Sequence, residues 1–244
     1  MDIFRPWFLA GLLALAALMP ARAEPCVKEG LFEQICGKGP GGARIIMDSI
    51  SPSKRLALAW RTAKRPPTQE PGNEPVESVV IRLSDGAVLD SAPGKFWGIE
   101  SKRAKDYEQL ATWSANSRLM VKQLEFGSKT VELHLYSLGA DDKPISIEIK
   151  SIVEASARKQ LTKMGKKEKD FDFSIFGFSD GHAPYIKFDK NGRIAMSILM
   201  AHPKHKPYLI LDAVFQVSEN NGVLDLREVS IRKSRINRDE LQYD

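Results

Sequence analysis

The sequence is poor in cysteine, in histidine and in long apolar runs. Its 244 residues include two cysteines and four histidines. The two cysteines do not form a Cys-x-x-Cys pair, and no histidine lies near them in the chain. This spacing argues against a zinc site and against a redox pair. We therefore expect no metal and no cofactor.

The longest apolar run, Phe8–Met19, has 12 residues and is too short to span a bilayer comfortably. It follows Arg5, is broken by Pro20 and precedes a small-residue site that ends at Ala23. This order is typical of a secretory signal peptide, and an uncleaved anchor helix is the alternative. We predict removal of residues 1–23, which lowers the formal charge from +5 to +4. The mature protein is then expected to be soluble and periplasmic or secreted.

Both cysteines, Cys26 and Cys36, lie near the expected mature N-terminus. In an exported protein, a lone pair at this spacing predicts a structural disulfide. The glycine-rich segment Gly37–Gly42 follows directly and is expected to be a flexible connector. Residues 24–43 are therefore predicted to form an N-terminal segment that is held by the disulfide.

The composition is that of an ordinary globular protein, with 43% hydrophobic and 27% charged residues. Short segments of β-type pattern are separated by turns rich in glycine, proline and asparagine, which predicts antiparallel strands. The predicted strands are Arg44–Ile50, Arg55–Arg61, Val76–Leu83, Ala87–Ser91, Tyr107–Trp113, Arg118–Phe126, Thr130–Leu138, Pro144–Ile149, Tyr185–Asp189, Arg193–Ala201, Tyr208–Ser218 and Val223–Lys233.

The hydrophobic period changes from two to about 3.6 residues at Lys150. The apolar residues at helical spacing are Val153, Ala157, Leu161 and Met164. They predict one amphipathic helix near 150–164, which ends at Gly165. The chain is thus expected to form a β-meander region over 44–150, a helix followed by a second meander region over 151–233, and a polar tail over 234–244.

A polar turn followed by an arginine and an aliphatic strand recurs along the chain. The first two copies contain Ser51-Pro52-Ser53-Lys54-Arg55-Leu56 and Trp113-Ser114-Ala115-Asn116-Ser117-Arg118-Leu119, and their arginines are 63 residues apart. A third copy ends in Asp189-Lys190-Asn191-Gly192-Arg193. This pattern resembles the repeat of TolB-like β-propellers, although its spacing exceeds the ~40–45 residues of one blade. The resemblance implies propeller-blade-like sheets and an interaction platform, and a β-sandwich is the alternative fold.

Residues that could support catalysis are few and scattered. Ser179-Asp180-Gly181-His182 contains the residue types of a catalytic triad, but a triad is assembled in space rather than by adjacency. The lysines around His202 and His205 raise the local positive potential and disfavour a bound cation. We therefore predict no catalytic residue and favour a non-catalytic binding or scaffold protein. A hydrolase with a site assembled from loops, or a carrier of a small ligand, is the alternative.

Positive charge is concentrated in residues 150–170, which hold seven lysines or arginines and three acidic residues. A solvated helix face is the simplest interpretation, but a basic surface also attracts acidic proteins and acidic envelope components. We expect no nucleic-acid partner, because no recognition module is present. Trp113 is expected to pack in the core. The predicted partner contacts are Phe96, Trp97, Lys159, Lys163, Lys166 and Lys167.

Overall fold

The structure is a computed structural model that describes residues 25–29, 33–46, 48–94, 107–126, 129–139, 143–175, 186–202 and 209–235. Within these ranges the chain forms three antiparallel sheets and one long α-helix. The prediction of a mainly antiparallel β protein with one helix is therefore confirmed.

The first sheet contains six strands that pair in the order of the sequence. They are β1 (Cys26–Glu29), β2 (Glu33–Cys36), β3 (Ala43–Ile45), β4 (Leu56–Arg61), β5 (Val76–Arg82) and β6 (Val88–Gly94). The second sheet is again a meander, in the order β10-β9-β8-β7. Its strands are β7 (Tyr107–Trp113), β8 (Leu119–Phe126), β9 (Lys129–Leu138) and β10 (Pro144–Glu148).

The helix α1 (Lys150–Lys163) and a short 3-10 turn (Glu168–Asp170) separate the second sheet from the third. The third sheet has the strand order β11-β13-β14-β15, and β12 also pairs with β13. Its strands are β11 (Asp172–Ile175), β12 (Ile186–Phe188), β13 (Arg193–Ala201), β14 (Leu209–Asn220) and β15 (Val223–Lys233).

Two sequence-based expectations differ from the structure near the N-terminus. The predicted strand Arg44–Ile50 is only the short β3, because Asp48 has a positive φ of 60° and Ser49 donates its N–H to the carbonyl of Ile46. The Gly37–Gly42 segment, expected to be a connector, forms the turn of the β2–β3 hairpin, in which Cys36 pairs with Ala43. The left-handed φ of Gly37, 78°, suits glycine at this turn.

The second sheet lies between the other two sheets, and each of its faces belongs to a different core. Alternate residues of a strand point to opposite faces. Met120, Tyr136 and Leu138 therefore pack with the first sheet, in a cluster that includes Trp60. The opposite face contributes to a larger core with α1 and the third sheet. Its members from the second sheet are Val121, Leu133 and Leu135.

The helix α1 forms as its sequence pattern predicts. Val153, Ala157 and Leu161 are fully buried in the larger core. Gly165 has a φ of 71° and donates its N–H to the carbonyl of Thr162, while the next amide, from Lys166, bonds to the carbonyl of Leu161. This pair of bonds is a Schellman C-cap, which satisfies carbonyls at the helix end that would otherwise lack donors.

Candidate functional site

The two serine turns that recur in the sequence have the same hydrogen bonds in the structure. In the first turn, the Ser51 amide bonds to the carbonyl of Leu56 at 2.9 Å, and the Leu56 amide bonds to the Ser51 hydroxyl at 3.1 Å. In the second turn, Ser114 and Leu119 make the equivalent bonds, both at 2.9 Å. The serine hydroxyl thus closes each turn onto the strand that follows it.

The backbone of the two turns also matches. Lys54 has a φ of 57° and Ser117, at the equivalent position, has a φ of 58°. The third turn places Gly192 there, with a φ of 73°, and replaces serine by Asp189, whose carboxylate accepts the Arg193 amide at 2.9 Å. All three turns therefore have a residue of positive φ at the same position and a side-chain acceptor at the start. In the third turn this acceptor bonds to the amide four residues later, instead of five.

The first two turns contact each other directly. The Ser53 amide donates to Oγ of Ser117 at 2.9 Å. Beside them, Nε1 of Trp113 donates to the carbonyl of Ser49 at 2.7 Å. Trp113 also packs against the core between the first two sheets, as the sequence predicts. These contacts fix the end of the first sheet against the end of the second.

A cleft opens where the two turns meet. Arg55 and Arg118, which occupy equivalent positions in the repeat, both line it. The buried side chains of Leu56 and Leu138, each 3% exposed, also line the cleft. Its remaining lining residues are polar or glycine, namely Ser53, Asn116, Ser117 and Gly139.

The four lysines predicted as partner contacts lie on one end of α1 and just beyond it. Lys159 and Lys163 are one helical turn apart and exposed, and Lys166 and Lys167 follow the helix and are also exposed. We call these four residues the lysine patch. The predicted aromatic contacts, Phe96 and Trp97, lie outside the described residues.

The other cations of α1 are paired. Glu154 accepts from Lys150 at 3.4 Å and from Arg158 at 2.5 Å. Arg158 also donates to the carbonyl of Glu168 at 2.8 Å. For the lysine patch, no salt bridge joins any of the four lysines to a described acidic residue. Lys150 and Arg158 therefore share one acidic partner, whereas the four lysines of the patch have none among the salt bridges of the described residues.

A group of charged side chains, which no sequence motif marks, lies between the first two sheets. Lys122 is 2% exposed, and burial lowers its pKa, against the opposing effect of Glu132 and Asp90. Burial and the neighbouring Asp90, which is hydrogen-bonded to Tyr136, raise the pKa of that phenol above its usual range. Because side chains alternate along β8 and β9, Lys122, Glu132 and Tyr136 lie on the face of the second sheet that meets the first sheet. Only the packing of the sheets shows that Asp90, on β6, lies opposite them.

Nearby, His134 pairs across the strands with both Lys122 and Glu148. Burial and Lys122 lower the pKa of this imidazole. Its Nε2 lies 3.8 Å from a carboxylate oxygen of Glu132. Burial and Lys122 thus oppose protonation of His134, whereas Glu132 and Glu148 favour it. None of these described neighbours is a nucleophile.

Residues 177–181, Gly-Phe-Ser-Asp-Gly, spell the Gly-x-Ser-x-Gly pattern of a nucleophile elbow and precede His182. The motif lies outside the described residues.

The predicted disulfide between Cys26 and Cys36 is confirmed, with the two Cα atoms 4.0 Å apart. In the described part of the chain, no cluster of three or more His, Cys, Asp or Glu residues could hold a metal ion. In the same described residues, no helix is both long enough and apolar enough to cross a membrane, and α1 has only 14 residues. No protein-family model matches the sequence, and no curated protein matches it.

Proposed function

We propose that this chain is an exported, non-catalytic binding or scaffold protein that engages an acidic partner through the lysine patch. The observation that carries this proposal is the group of exposed lysines at the end of α1 that form no salt bridge with a described acidic residue. The earlier cations of the same helix, Lys150 and Arg158, both pair with Glu154. The partner class is an acidic protein or an acidic component of the cell envelope.

Like charges repel one another within the lysine patch. Lys159 and Lys163 are four residues apart on one helix, a spacing at which like charges cost about 0.2–0.5 kcal/mol. The negative end of the helix dipole offsets part of this cost for Lys163, but its effect falls off within the last turn. Lys166 and Lys167 add charge beyond that turn. An anionic partner would neutralise all four residues, and the attraction would also steer its association.

Two further observations support export and an interaction role. Disulfides persist in oxidising compartments, and Cys26 and Cys36 are bonded directly after the predicted signal peptide. The recurring turn resembles that of TolB-like propeller units, which implies an interaction platform. Phe96 and Trp97 complete the proposed contact set as aromatic contacts.

The test uses the mature chain, residues 24–244, immobilised and exposed to an envelope extract. In the patch variant, Lys159, Lys163, Lys166 and Lys167 are all changed to Glu. The control variant makes the same charge change at four exposed lysines elsewhere, Lys28, Lys187, Lys190 and Lys233. We expect the patch variant to lose the partner that wild type retains, as identified by mass spectrometry, and the control variant to keep it.

Equal loss of the partner in both variants would show that overall charge, and not the patch, is responsible. A second assay addresses catalysis with generic ester, phosphate and glycoside substrates. Turnover that disappears in the Ser179→Ala variant would contradict a non-catalytic function and favour a hydrolase.

A further inference from the structure

We infer that the cleft between the two serine turns is a binding site for a small oxyanion, carboxylate or phosphate, held by Arg55 and Arg118. This site is separate from the lysine patch, which belongs to α1. It is built by the first two sheets, at the point where the Ser53 amide bonds to Ser117.

The repeat brings the two arginines together. Each follows the residue of positive φ in its turn, Lys54 or Ser117, and each precedes the first residue of a central strand. Because the two turns have the same backbone and dock against each other, equivalent positions line one cleft. Guanidinium groups present planar forks of N–H donors that match the geometry of carboxylate and phosphate.

The backbone that carries both arginines is fixed by the same contact in each sheet. The carbonyl of Arg55 accepts the amide of Leu83 at 2.8 Å, and the carbonyl of Arg118 accepts the amide of Leu138 at 2.8 Å. Leu56 and Leu138, which line the cleft, also belong to the packed core between the sheets. The backbone of the site is therefore preformed, so that mainly the exposed arginine side chains have to be ordered when a ligand binds.

The described lining of the cleft is positively charged, which favours an anion. None of its described lining residues is acidic, and the polar groups of Ser53, Asn116 and Ser117 can add hydrogen bonds. The third turn provides a contrast, since Arg193 donates to Oε1 of Gln216 at 3.2 Å inside its own sheet. In the described part of the chain, by comparison, Arg118 has no ion pair or side-chain hydrogen bond.

The size of the cleft limits the ligand. Its volume is about 350 Å³, near the lower end of the ~300–1,000 Å³ typical of small-molecule sites. A dicarboxylate, a phosphate group or the carboxylate of a peptide side chain fits this volume, whereas a folded surface does not. The ligand class is therefore a small oxyanion or an oxyanionic group on a larger molecule.

The experiment titrates the mature protein at fixed ionic strength with inorganic phosphate and, separately, with succinate, by calorimetry and by NMR chemical shifts. We expect saturable binding of at least one probe, with shifts at Ser53, Asn116 and Ser117. Arg118→Gln and Arg55→Gln should each weaken binding by about tenfold or more, because each removes a charge-assisted hydrogen-bonding pair. Arg227→Gln, an exposed arginine of β15, is the matched control and should bind as wild type does.

Binding of succinate alone would assign a carboxylate site, and binding of phosphate alone a phosphate site. Arg118→Lys keeps the charge but not the fork, so a weakened affinity in this variant would support bidentate recognition. The inference is overturned if neither probe binds at millimolar concentration, or if Arg118→Gln and Arg227→Gln weaken binding equally. The four-lysine patch variant should bind the probe normally, which separates this site from the proposed function.

Discussion

The backbone amide of Ser53 donates a hydrogen bond to the hydroxyl of Ser117, 2.9 Å away and 64 residues along the chain. These residues belong to the two serine turns whose backbones match. The bond joins one copy of the repeated turn to the next. The two copies therefore connect the first sheet to the second.

The bond between the turns should contribute measurably to stability. Ser117 is 7% exposed, and Ser117→Ala removes the only acceptor in this contact while keeping the backbone. We expect the free energy of unfolding to fall by about 0.5–1.5 kcal/mol, as measured by urea denaturation. Ser53→Ala is the control, because it retains the amide donor and should cost less. Equal losses in the two variants would contradict this role.

Although their φ values match, Lys54 and Ser117 should respond differently to replacement by glycine. Lys54→Gly removes the steric cost of a left-handed residue, and we expect a gain of about 0.5–1 kcal/mol in the free energy of unfolding. Ser117→Gly relieves the same cost but loses the bond to Ser53, so its net effect should be close to zero. Denaturation of both variants under one set of conditions tests this difference. A similar gain at both positions would refute it.

The disulfide should stabilise the N-terminal hairpin. Cys26 and Cys36 are ten residues apart and pair directly across β1 and β2. By the chain-entropy relation, closing such a loop contributes about 2–3 kcal/mol. Reduction of wild type should therefore lower the denaturation midpoint, with thiol counting to verify that reduction is complete. The Cys26→Ala/Cys36→Ala variant serves as control, since added reductant should leave its midpoint unchanged.

Acidification should destabilise the protein through His134. Burial and Lys122 hold the pKa of His134 below its ordinary value of 6.5. The unfolded chain then binds this proton at a higher pH than the folded chain does. The stability contributed by neutral His134 is fully present above pH 6.5 and is lost as the pH falls through the folded pKa. We expect the free energy of unfolding to decline from pH 7 to pH 5.

The variant His134→Gln isolates this effect, because it removes the titrating group and keeps a polar side chain. Its free energy of unfolding should depend less on pH over the same interval. Carboxyl groups such as Glu77 and Glu154, whose pKa values are lowered from an ordinary 4.5, titrate below this window. Parallel profiles for the variant and wild type would exclude His134 as the cause.

Local pattern predicted several features correctly. Val153, Ala157 and Leu161 recur at helical spacing, and Gly165 follows where a C-cap is needed, so α1 could be recognised without tertiary information. Local pattern failed at Arg44–Ile50, where apolar residues suggested a longer strand. There, Ser49 bonds to the carbonyls of Ile46 and Leu58, and the second of these is a contact across strands that sequence spacing does not reveal.

The candidate sites also differ in whether the sequence alone reveals them. The lysine patch could be found from sequence, because its residues are neighbours on one helix and the segment after it. The arginine cleft and the buried group around Lys122 could not be found, because each combines residues from two sheets. Arg55 and Arg118 are visible as a repeat, but the sequence does not show that the two turns dock against each other.

The sequence by itself determined the mainly β class, the helix, the disulfide pair and the repeated turn. Each of these depends on residues that are close in the chain, where hydrophobic period, φ preference and loop length act directly. Only the tertiary structure decided which faces of the second sheet pack against the first and third sheets, that Asp90 lies opposite Tyr136, and that Arg55 and Arg118 line one cleft. Those relationships arise from burial of apolar surface between sheets, and that burial brings together residues that local sequence rules treat separately.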